Sequence, residues 1–134
     1  MRESPAMADP SGNTRLHALR GAITVERNDA ESILAATREL MTELMDRNAI
    51  GPDQMVSCIF SCTDDLNAQF PAVAARDLGL DRVPLLCTKE IDVPGALPRV
   101  IRVLLHYYGG GHHEAQHVYL REAKSLREDL HAAQ

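Results

Sequence analysis

The sequence predicts a single domain of the α/β type, with a mixed β-sheet. Three observations carry that reading. Stretches of strand length alternate with stretches of helical periodicity, in the order β, α, β, α, β, α, β. The run Met55–Ser61 (MVSCIFS) is nearly continuous in apolar, β-branched and aromatic residues, as suits a strand covered on both faces. The chain of 134 residues, 45% hydrophobic and 25% charged, has the size and composition of one ordinary soluble domain.

Residues 1–14 (MRESPAMADPSGNT) are rich in Pro, Ser, Gly, Asp and Asn and lack the apolar stretch of a secretory signal. They read as a disordered leader to a domain spanning 15–134, with Met7 as an alternative start. Leu16–Thr24 reads as the first strand. Arg20 interrupts it just before Gly21, either as a solvated edge residue or as one aimed into a pocket where backbone comes close. Asn28 then opens a helix, with Glu31 completing a capping box. Ile33, Leu34, Leu40, Met41, Leu44 and Met45 form its apolar stripe; it ends near Asn48, and Gly51-Pro52 stops it.

After Met55–Ser61, the turn Thr63-Asp64-Asp65 leads to a second helix. Pro71 suits its first turn and Gly79 its stop. Ala72, Ala74 and Ala75 make it thin, and Arg76 reads as a surface charge on it. Val83–Cys87 is the next strand, with Glu90 just beyond. A turn at Pro94-Gly95 introduces a predicted helix from Ala96 to Tyr108, with Arg99, Arg102 and His106 on one stripe. Gly109–Gly111 predicts a flexible loop, with His112 and His113 solvated. Gln116–Arg121 is the last strand, carrying Tyr119, and the tail with Leu126 and Arg127 reads as a partly ordered cover.

The formal net charge of −5 argues against nucleic acid as a partner. No apolar run approaches membrane-spanning length. The three cysteines, Cys58, Cys62 and Cys87, lack metal-site spacing; reduced thiols and the missing signal point to the cytoplasm. There is no glycine-rich phosphate fingerprint, HExxH, nucleophile elbow or CxxC pair, so neither metal nor cofactor is expected. The notable stretch is Val83–Val103. Glu90 and Arg102 stand there in mostly apolar sequence, where charges are costly unless paired or facing a ligand. A structural ion pair and a ligand site are comparable readings. With seven prolines and few aromatics the core is modest, and contacts between subunits are expected to bury more.

Four stretches in order, LRGAITVERND, FSCTDDLNAQFPAVAARDLG, VPLLCTKEIDVPGALPRVIRVLL and HVYLREAKSLREDL, resemble the monofunctional chorismate mutases of the trimeric pseudo-α/β-barrel class. The likeness covers about Leu16 to Leu130. It implies a mixed sheet with helices packed on one side, a homotrimer with active sites between subunits, and rearrangement of chorismate to prephenate without cofactor or covalent intermediate. That reaction belongs to the biosynthesis of phenylalanine and tyrosine.

Position by position, the resemblance makes Arg20 a carboxylate ligand. Glu90 and the Cys87 backbone or thiol would meet the ring hydroxyl. Arg102 would reach the ether oxygen, and Tyr119 would make a second carboxylate contact. Leu85, Leu86, Thr88 and Lys89, around Cys87, count as substrate-binding positions, Leu86 through its backbone. Phe70, Ala72, Val73 and Arg76 would form the neighbour's wall, and Leu126 and Arg127 a tail over the ligand. Val73 stands where some relatives have lysine, and Glu128 where proline is common.

The chemistry suits these residues. A dianion must be held in a reactive conformer while negative charge grows on an ether oxygen. Nothing has to be protonated or attacked. Two other readings are an imine-deaminase-like trimeric enzyme, which would need an acid–base water site, and a non-catalytic dicarboxylate-binding module, which would not need Arg102.

Overall fold

The computed structural model describes residues 13–127. The chain forms strand β1 (Thr14–Thr24), helix α1 (Ala30–Asn48), strand β2 (Met55–Cys62), helix α2 (Ala72–Asp77), and strands β3 (Leu85–Lys89), β4 (Val100–Gly110) and β5 (Val118–Leu120). One five-stranded sheet has the order β3-β2-β4-β1-β5. β4 is antiparallel to β1 and β2, whereas β2–β3 and β1–β5 are parallel, so the predicted mixed sheet stands. Residues 1–12 of the expected leader and 128–134 of the tail, Glu128 included, lie outside the described residues. Thr14, assigned to the leader, belongs to β1.

The main correction is the third helix. Ala96–Arg99 is loop, and the rest of the predicted helix is β4, the central strand. The run VIRVLLHYY is apolar at both helical and alternate spacings, so periodicity cannot separate the two. Val100, Ile101, Val103, Tyr107 and Tyr108 favour the extended state. The two long ladders to β1 and β2 then fix it. The glycines expected to start a loop instead extend the strand, since Gly109 and Gly110 still pair with Arg15 and Thr14.

α1 covers one face of the sheet, where Leu19, Ile23, Phe60 and Leu105 are fully buried. Its buried side is Ile33, Ala36, Thr37, Leu40, Met41, Leu44 and Asn48, so Leu34 and Met45 fall at the margin. Its N-cap is Asp29 and not Asn28: the carboxylate accepts from the Ser32 amide at 2.7 Å. Asn28 instead staples a distant loop, accepting from the amides of Asn67 and Ala68 at 3.0 Å. Gly21 lets α1 approach β1: a Cβ there would lie 3.2 Å from Cδ1 of both Leu40 and Leu44. The close approach beside Arg20 is therefore to the helix, on the face away from the Arg20 side chain.

His113 is not solvated, whereas His112 is exposed. The hydroxyl of Tyr107, fully buried, lies 2.7 Å from His113 Nε2. Burial pushes Tyr107 up to about 12, so it stays protonated and donates. The His17 ring packs edge-on at 4.9 Å. Burial first, and His17 second, lower the pKa of His113 from 6.5. The unfolded chain then takes up this proton before the folded chain does. The stability is complete above the unfolded value and is lost as pH falls through it to the folded one. Melting temperature should therefore drop as pH falls below the ordinary histidine range, and His113→Gln should shrink that drop in calorimetry.

Candidate active site

The sheet face away from α1 holds the site. Side chains alternate along a strand, so register decides which of them share that face. Arg102 lies between Ala22 on β1 and Ser61 on β2. Two positions along, Leu104 lies between Arg20 and Ile59. Arg20 and Arg102 are thus diagonal neighbours, with backbones roughly 7 Å apart in such a pairing. Tyr119, opposite Ala22 on β5, joins the same face from the sheet edge. Glu90 is the first residue past β3, tied down by its amide donating to the Cys62 carbonyl at 2.8 Å. Arg20, Ser61, Glu90, Arg102, Leu104 and Tyr119 line a cleft of about 210 Å³. A second hollow shares Glu90 and Arg102 and runs under the 90–98 loop to Leu126.

Arg102 Nε lies 3.2 Å from Glu90 Oε1, with the side chains 43% and 27% exposed. The distance is short, but the buried Nε–H is not aligned and makes no hydrogen bond. Ser61 donates its hydroxyl to Glu90 Oε2 and holds the carboxylate from the other side. A half-exposed pair of this kind contributes only about 0–1 kcal/mol. That is a weak structural reason to place two charges in an apolar sheet. The geometry fits a guanidinium whose terminal nitrogens are left for a ligand.

The other predicted residues divide. Leu126 borders the second hollow. Arg127 is near enough to lower the pKa of His117, a ring that also meets Arg20. Thr88 and Leu86 pair with Ser61 and Ile59 and share the open face, both exposed. Leu85 is half-buried against the core, and Lys89 pairs with Asp64 at 3.2 Å. Cys87, expected to act through its backbone or its thiol, pairs with Phe60 and is half-buried against the core under the helices, which favours the backbone. Phe70, Ala72, Val73 and Arg76 do not line the cleft of their own chain. Phe70 is 67% exposed, Ala72 is buried, Val73 is half-buried and Arg76 is exposed.

The stripe of Arg99 with Arg102 and His106 dissolves with the helix. Arg99 forms a corner with φ 50°, its Nε donating to the Val25 carbonyl at 2.9 Å. His106 shares the face of Arg102 but meets Ser57 Oγ at 3.1 Å. Burial, with the neighbouring Cys87, pushes the thiols of Cys58 and Cys62 up to about 12; Glu90 adds to the effect on Cys62. Both are inert packing groups. Sequence reading missed Ser61, Ile59, Leu104 and His117. The first three were legible from alternation, once β4 is a strand; His117 carried no signal.

Residues 16–130 match the family described as chorismate mutase type I. The chain is 50% identical over 118 residues to chorismate mutase AroH of Thermus thermophilus, covering 87% of this chain and 97% of that one. It is 39% identical over 117 residues to chorismate mutase AroH of Bacillus subtilis (strain 168), covering 86% and 92%. Among solved structures it resembles a chorismate mutase from Clostridium thermocellum with a TM-score of 0.77 and 43% identity, covering 81% of this chain and 98% of that one. A sheet with this cleft and matches over nearly all of their length agree: the chain belongs to the type I chorismate mutase family.

Proposed function

We propose that the cleft between Arg20, Glu90, Arg102 and Tyr119 rearranges chorismate to prephenate. Arg20 and Tyr119 grip a carboxylate, and the Arg20 fork suits that geometry. Arg102 meets the ether oxygen, where negative charge grows as the C–O bond stretches. A fixed cation there binds the transition state more tightly than the ground state, which is what accelerates the step. Glu90, aimed by Ser61, accepts the ring hydroxyl and sets a negative charge beside the fragment that becomes electron-poor. The bonds break and form within one molecule, so no side chain has to act as nucleophile.

The observation that carries this reading is the shared face: two guanidiniums and one carboxylate on adjoining strands and the β3 end of a single sheet. Such a surface attracts a dianion even though the chain as a whole is acidic. The active form on this reading is a homotrimer. The sheet face opposite α1 leaves Leu16 52%, Leu86 60% and Tyr108 42% exposed, an apolar area suited to packing against other copies. In that assembly Phe70, Ala72, Val73 and Arg76 of one chain would complete the cleft of the next. No helix of the described residues is long and apolar enough to cross a membrane, and we place the enzyme in the cytoplasm.

Turnover tests the reading directly. Purified protein, treated with a chelator and given neither nucleotide nor metal, should consume chorismate with loss of its ultraviolet absorbance and form prephenate. Folded protein that leaves chorismate untouched would remove the assignment.

A further inference from the structure

We propose that His117 is a positioning residue, whose ring nitrogen Nδ1 holds the backbone of Arg20 so that its guanidinium faces the substrate carboxylate. The inference rests on the reading of the cleft given above. β5 pairs with β1 over only three positions, Gly21 with Val118, Ala22 with Tyr119 and Ile23 with Leu120. Arg20 comes next on β1, just outside that ladder. Its amide donates to His117 Nδ1 at 3.0 Å. A side chain therefore continues the pairing by one residue, to the arginine that the substrate needs.

His117 is itself held from behind. Asn48, 3% exposed at the end of α1, exchanges two hydrogen bonds with the preceding residue. Its Nδ2 donates to the Gln116 carbonyl at 3.0 Å, and its Oδ1 accepts from the Gln116 amide at 2.7 Å. The restraint thus runs from a buried helix residue through Gln116 to the ring and on to Arg20. To accept, Nδ1 must be bare, with the proton on Nε2. The charged groups facing the ring are cations: Arg20 from β1 and Arg127 from the helical turn at 124–127 after β5. Burial first, then these two, lower the pKa of His117, which keeps the ring neutral and accepting near neutral pH. A second proton would turn the acceptor into a donor and add a positive charge beside Arg20.

The test has two arms. Nitrogen-15 spectra of the wild-type ring should show a bare Nδ1 and a protonated Nε2 at neutral pH; a protonated Nδ1 would overturn the contact, whatever the enzyme does. In kinetics, His117→Ala should raise KM about fivefold, the worth of one ordinary hydrogen bond, and change kcat less. His117→Asn places an amide oxygen near the position of Nδ1 and should restore KM, whereas His117→Gln, longer by one methylene, should not. In the wild type kcat/KM should fall as pH drops below the ordinary histidine range, and His117→Asn should flatten that fall. An unchanged KM in the alanine variant, equal rescue by Asn and Gln, or an acid limb that persists in the Asn variant would each overturn the role. An inactive wild type with the ring signature intact would strike the reading of the cleft, and the role with it, but not the contact.

Discussion

Arg102→Ala should lower kcat by at least about 10²-fold, the scale found when one donor to a developing oxyanion is removed. The fold should survive, because the half-exposed pair with Glu90 adds only about 0–1 kcal/mol. Glu90 keeps the Ser61 hydroxyl in the variant. Loss of rate then reports on the reaction and not on unfolding, and equal melting temperatures would confirm this. Arg102→Lys should recover little: an ammonium on a flexible stem cannot reproduce the planar fork of a guanidinium carried by a strand residue that is paired on both sides, with Ala22 and Ser61. Single-turnover rates with saturating chorismate separate the alternatives. A variant that kept kcat and raised KM alone would make Arg102 a binding group, and the electrostatic account of the step would fall.

What could be read from the sequence, and what could not, follows from where each signal is encoded. α1 was legible because its stripe and its polar opening are local. Even so its cap moved by one residue: Asp29 takes the cap with a carboxylate that the Ser32 amide holds below the usual range, while Asn28 is used by a loop distant in sequence. β2 was legible from continuous apolar character. β4 was not, because alternation along Val100–Tyr108 is masked by Leu104 and by a mostly apolar open face. Only pairing with β1 and β2 distinguishes this run from a helix, and pairing is a property of the whole sheet.

The candidate site was legible through resemblance and not through periodicity. As a helix residue Arg102 would have grouped with Arg99 and His106. As a strand residue it meets Ser61, Glu90 and the Arg20 side of β1. His117 was illegible for a related reason: its partner is an amide far away in sequence, set by three residues of parallel pairing. Cys87 is not the last residue of its strand: β3 runs Leu85–Lys89, two residues past it, and register with Phe60, which the sequence does not encode locally, turns its side chain toward the core.

Mixing two inactive variants should restore activity. Arg102→Ala and Arg76→Ala, each inactive alone, are unfolded and refolded together at equal concentration. In the proposed cyclic trimer one wall of each site carries Arg102 and the other, from the next chain, carries Arg76. Arg76 is exposed on a short helix whose alanines are buried, and it does not line the Arg102 cleft of its own chain. A site is intact when its first chain carries the Arg76 substitution and the next carries the Arg102 substitution. Random assembly places that order at about a quarter of all interfaces by symmetry. Activity should return to about that fraction of wild type, with a KM close to wild type because the surviving sites lack neither group. Chain exchange is checked by mass, using a tag on one variant. Mixtures that exchange chains yet stay inactive would place each site within a single chain, and an Arg76→Ala protein that is fully active by itself would leave Arg76 as a surface charge with no part in it.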